Sequence, residues 1–209
     1  MKKIITLAVI FIASIAQAQP GKFEEGMGKA FGLWGEGKSK EASDLFERIA
    51  SAEKGSWLPN YYVALVNTTA SFMEKDKEKV SAQLAKAQSA LDTELAKDSN
   101  NSELWVMQAM IYTAWVVYDP MTNGMKLTGK VMEAYGKAQA LSPENPRAVF
   151  GKAEYEMNGA KYFGNDIKPM CAEIDRSIEL FNKFKPETPF SPNWGLDRAL
   201  ESQKACNKK

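Results

Sequence analysis

The sequence contains no histidine. Its absence removes the commonest general base, the usual zinc ligand and every Ser-His or Cys-His dyad, so most hydrolase mechanisms are closed to this chain. Cysteine is almost missing as well: Cys171 and Cys206 are the only two, and no C-x-x-C redox motif exists. Beyond the N-terminus, no segment approaches the roughly 20 apolar residues a membrane span requires, so the chain is expected not to span a membrane. An excess of one charge is lacking too, with 27 Lys+Arg against 26 Asp+Glu, and this neutrality argues against a nucleic-acid partner. Carboxylate pairs such as Glu24-Glu25 could in principle do acid–base work, but neighbours on a helix diverge, and they read as a solvated surface. Asp119 to Asn123 and Asn165-Asp166 lack the run of oxygen ligands calcium demands and read as turns. No cofactor and no enzymatic activity are expected.

What is present begins at the N-terminus. Met1-Lys2-Lys3 precedes an apolar run from Ile4 to Ile15 and then Ala16-Gln17-Ala18, with small residues at the two positions a signal peptidase needs. Residues 1–18 are therefore expected to be a signal peptide and 19–209 a single helical domain, exported to the periplasm or secreted. Loss of Lys2 and Lys3 would move the formal net charge from +1 to −1. At 44% hydrophobic and 11% aromatic residues, the remainder has the composition of a globular fold.

The clearest helical pattern lies between Ser102 and Pro146. Trp105, Ala109 and Tyr112 fall on one helical face, as do Val131, Tyr135 and Ala138, after which Pro143 follows the last turn. Both halves resemble the tetratricopeptide repeat, a helix-turn-helix unit of about 34 residues. A weaker first pair spans Phe23 to Trp34 and Lys40 to Ala52, with Ala42, Phe46 and Ile49 in its seam. A long, non-standard second pair spans Trp57 to Met73 and Asp76 to Lys97, and a fourth runs from Pro146 through Val149, Ala153 and Met157 to a helix over about Pro169 to Lys185. The fold expected is all-α, an antiparallel helix-pair array of about four pairs plus a C-terminal capping helix.

Several local signals refine this reading. Asn100 to Glu103 forms an N-x-x-E capping pattern. Tyr112 and Val131 are 19 positions apart where the resemblance implies about nine, so an insertion is expected, and Asp119-Pro120 and Asn123-Gly124 mark it as a loop with turns. A second loop is expected over Gly159 to Asp166, from the same edge. Ser191 followed by Pro192 reads as the N-cap and first turn of the last helix, which ends near Cys206. Phe163-Gly164 and Pro192-Asn193-Trp194-Gly195 resemble features of small exported bacterial tetratricopeptide proteins, over about residues 145 to 206.

Export favours a disulfide between Cys171 and Cys206. The two are equidistant from the Thr188-Pro189 bond, the middle of a Pro-rich turn, so a hairpin centred there sets them level. Closing this 35-residue separation is worth about 3–4 kcal/mol in the chain-entropy model.

By resemblance, partners bind the inner face of each unit's first helix. That face offers Phe31 and Trp34 in the first unit, Val106 and Met110 in the third, and Phe150 and Met157 in the fourth, with Trp115, Tyr118, Asp119, Tyr162 and Phe163 in the two loops. The expected role is an exported protein-binding or scaffolding module with a protein or peptide partner. The alternative is a small-ligand carrier or receptor whose pocket is covered by the 112–131 insertion.

Overall fold

Periodicity and capping chemistry build the elements. In a computed structural model that describes residues 21–207, the helices are α1 Lys22–Gly35, α2 Ser39–Ala52, α3 Leu58–Ser71, α4 Lys77–Leu95, α5 Ser102–Tyr118, α6 Pro120–Leu141, α7 Pro146–Tyr162, α8 Lys168–Lys183 and α9 Leu196–Cys206, with no strand among the described residues. The signal peptide expected at 1–18 lies outside the described residues. Side-chain oxygens satisfy the first free N–H groups of several helices: Asp76 accepts from Glu78 and Lys79, Asn101 from Glu103, and Asn145 from Arg147 and Ala148. Proline stands in the first turn of α3, α6, α7 and α8, where its missing N–H would have had no partner.

Each helix packs on the next, from α1 on α2 to α8 on α9, and α3, α5 and α7 also touch in succession. The face read from sequence is the face that packs: Ala109, Val131, Tyr135 and Ala138 are buried in one cluster, with Trp105 and Tyr112 against it. Gly151 on α7 is required there. A Cβ at this position would lie 2.6 Å from the Tyr135 hydroxyl, so only glycine lets the phenol of α6 lie flat on α7. No helix among the described residues is long and apolar enough to cross a membrane.

Four local expectations are corrected. The 112–131 insertion is helix, not loop: it lengthens α5 to Tyr118 and starts α6 at Pro120, with Asp119 alone between them. Asp-Pro is also an N-cap followed by N1, and Asp119 caps α6 by accepting from the Thr122 N–H at 3.0 Å. Asn123 makes no turn: it lies within the first turn and a half of α6, and its side-chain amide donates back to the Trp115 carbonyl of α5 at 2.8 Å. Likewise, α7 continues to Tyr162, which shortens the second expected loop, and the chain turns at Gly164 with φ +69°.

Ser191-Pro192 does not open the last helix. Ser191 Oγ accepts the Thr188 N–H instead, and α9 begins only after Gly195, whose φ of +114° suits glycine. The residues from Phe184 to Gly195 thus form an irregular strap. Finally, Glu103 does not close a capping box. Its carboxylate turns away to Arg147, and the cap itself is Asn101.

Candidate functional site

The inner face that the resemblance assigns to partner binding is largely core. Val106, Phe150 and Met157 are buried, and Met110 is half-buried between two core clusters. Phe31 and Trp34 belong to an aromatic cluster with Phe46 and Tyr62. Phe150 and Met157 pack with Ile174 and Phe181 of α8 and Ala199 of α9, and what fills the α1–α3 end of the groove along this face is the strap. Phe190 stacks on Phe31 at 5.9 Å with ring planes 7° apart and meets Phe23 edge-on, while the Tyr62 hydroxyl donates to the Phe190 carbonyl at 2.8 Å. The Trp194 indole N–H donates to the Tyr61 hydroxyl at 2.8 Å. Filling by the array's own chain removes the apolar surface a peptide would have used.

Arg147 anchors this arrangement from beneath. Its Nε is 2.9 Å from both oxygens of Glu103 and its Nη2 is 2.8 Å from Oε1, while its guanidinium lies 4.4 Å from the Phe184 ring centre and 6.0 Å from that of Trp194. Burial works against the cation, but the adjacent Glu103 carboxylate holds its pKa above the ordinary value. Pairing with both a carboxylate and aromatic faces is what makes a buried guanidinium tolerable.

An accessible cleft of about 270 Å³ lies where the C-terminal ends of α3 and α5 meet. Ser71, Phe72, Glu74 and Lys75 line it from α3 and the following turn. Ala114, Val117 and Tyr118 line it from the lengthened end of α5. One wall is therefore apolar and the other carries charge. The lining Val117 is itself 55% exposed, and near these residues in sequence Met73, Met121 and Met125 are exposed by 86%, 84% and 97%. Flexible methionine side chains adapt to varied apolar partners.

Of the loop residues singled out from sequence, Tyr118 lines the cleft, Trp115 packs on the core, and Asp119 is spent as the α6 cap. Hydrogen bonds from Thr122 hold the Asp119 carboxyl below its ordinary range. Tyr162 and Phe163 are exposed and meet edge-to-face at 5.1 Å, but they do not line this cleft. Sequence reading missed Phe72 and Lys75, because the cleft joins two segments some forty positions apart.

A second cleft, of about 440 Å³, lies between α7 and α9, lined by Glu154, Lys161, Arg198, Glu201, Ser202 and Ala205. Two of its charges pair with each other: Arg198 donates to Glu154 at 2.8 Å, and burial pushes the Glu154 carboxyl up against the pull of Arg198. Below it, Cys171 and Cys206 form the expected disulfide, with Cα atoms 5.8 Å apart, tying α8 to α9. No group of three or more acidic, histidine or cysteine side chains among the described residues is arranged to hold a metal ion.

No family model matches this chain, and no curated protein matches it in sequence. Among solved structures it is similar to the HusA haemophore from Porphyromonas gingivalis, with a TM-score of 0.79 at 19% identity over 90% of this chain and 94% of that one. A likeness at this identity is one of fold.

Proposed function

We propose that this protein is a non-enzymatic carrier of a small, largely apolar, planar ligand of the haem class, held at the cleft between the ends of α3 and α5. The observation that carries the reading is the cleft itself, with its apolar wall of Ala114, Val117 and Tyr118. A volume of about 270 Å³ lies just below the roughly 300–1,000 Å³ of sites that enclose a small molecule, so the cleft would grip a planar ligand by one edge and leave the rest of it outside. The shared fold with a haemophore supports the ligand class. The disulfide supports a site of action outside the cytoplasm, and the succession of helix pairs supports a tetratricopeptide-like reading of the array.

Without histidine in the chain, and with both cysteines in the disulfide, neither imidazole nor thiolate is on hand for the ligand's iron; burial of the ligand's face carries the binding, and Tyr118 is the lining residue of a type that ligates haem iron. Absorbance titration with haemin tests the reading. Saturable one-to-one binding is expected, weakened at least tenfold by Val117→Glu at the half-exposed lining position while the melting temperature stays unchanged. No saturable change in the Soret band, or equal binding by the variant, would overturn it. A protein-contact role is the second reading, favoured by the exposed Tyr162–Phe163 pair.

A further inference from the structure

The charged wall of the α3–α5 cleft is not neutral in effect. Glu74 and Lys75 are adjacent and of opposite sign, yet their charges are disposed differently. The Glu74 carboxylate is satisfied locally: Oε1 accepts the backbone N–H groups of Lys75 at 2.8 Å and Asp76 at 3.0 Å, and Oε2 lies 3.8 Å from the Lys79 ammonium. Those backbone hydrogen bonds hold its pKa below the ordinary carboxylate range. Asp76 and Asp119, the other carboxylates at this edge, are likewise occupied as helix caps. The Lys75 side chain, by contrast, has no carboxylate within 4.0 Å among the described residues and makes no side-chain hydrogen bond. It is the one cation lining the cleft, set across from Ala114, Val117 and Tyr118.

A cation on one rim and an apolar wall opposite select an amphipathic anion. The wall removes an apolar body from water, and a carboxylate at its edge gains a charge-assisted hydrogen bond that a neutral analogue cannot make. We propose that Lys75 is the specificity-determining counter-ion for a carboxylate carried by the bound ligand. The inference rests on the carrier reading and goes beyond it, since burial of an apolar face alone would not distinguish an acid from its ester.

The test compares haemin with its dimethyl ester, which keeps the macrocycle and iron and removes both negative charges. Each is titrated into wild-type protein, Lys75→Gln and Lys75→Arg. The wild type is expected to bind haemin at least tenfold more tightly than the ester. Lys75→Gln should bring haemin down to the level of the ester without moving the ester, and Lys75→Arg should restore the preference. Raising ionic strength should erode the preference in wild type alone. Equal affinity of the wild type for both porphyrins, or a Lys75→Gln effect of the same size on both, would overturn the role of Lys75 while the carrier reading stands. Binding of neither porphyrin would overturn both. Since the Lys75 side chain is exposed and unbonded, an unchanged thermal melt of Lys75→Gln confirms that binding alone is read.

Discussion

Arg147 shows how one residue decides the architecture. Only 1% of its side chain reaches solvent, and the partner Glu103 is 13% exposed, so each charge depends on the other. Nη1 has no hydrogen-bond partner, which leaves the face over Phe184 as its compensation. Glu103→Gln is expected to lower unfolding free energy by about 3 kcal/mol, the range for stranding one member of a buried ion pair. Joint replacement by Glu103→Leu and Arg147→Met should cost less than Glu103→Gln alone, because no charge is then left behind. Urea denaturation of the three proteins checks this, and a Glu103→Gln variant within about 0.5 kcal/mol of wild type would show that Arg147 is solvated by other means. In the sequence, nothing local marks Arg147 for burial. A guanidinium finds its carboxylate 44 residues away only when helices α5 and α7 are packed.

At the scale of elements, the strap from Phe184 to Gly195 and the disulfide beyond it act together. The bridge holds α9 against α8, and so fixes the end of the strap that carries Phe190 and Trp194 over α1 and α3. Reduction of the bridge should lower stability by about 3–4 kcal/mol on the chain-entropy account. Phe190→Ala should cost about 2 kcal/mol, below the 3–5 kcal/mol of a fully buried phenylalanine because this ring is only partly buried. Denaturant titrations of the reduced protein and of the variant read both quantities. If Phe190→Ala matched wild type, the strap would be no part of the folded core. Most helices were legible from periodicity, from capping residues such as Asp76 and Asn145, and from the prolines that open them. The strap was not, because Ser191-Pro192 satisfies the local rule for a helix start and only the long-range bonds of Phe190 and Trp194 to Tyr62 and Tyr61 outweigh it.

Across the whole molecule, three buried tyrosines link stability to pH. Burial raises the phenol pKa of Tyr61, Tyr62 and Tyr135 in the folded chain above the ordinary 10.0. Below about pH 10 all three are neutral in both states and their contribution is fully present. As pH rises past 10, the unfolded chain loses these protons first, so stability falls, at up to about 1.4 kcal/mol per pH unit for each phenol. Urea midpoints between pH 8 and 11 should be flat and then drop steeply, with a shallower drop in Tyr62→Phe. A flat profile throughout would mean that these phenols ionise as freely folded as unfolded.

The sequence by itself determined the all-helical class, most helix boundaries, the buried face of α5 and α6, and the Cys171–Cys206 pairing. Each of these follows from periodicity or from symmetry about a turn, which are local properties of the chain. Tertiary structure alone decided that the inner face is closed, because the groups that close it come from 128 and 133 positions away. It also decided where an accessible cleft remains, since that cleft exists only where the end of α3 meets an α5 lengthened by residues that, read locally, spell a loop. An apolar residue's hydrophobicity is written in the sequence, but whether it covers core or faces a ligand depends on which distant segment reaches it first.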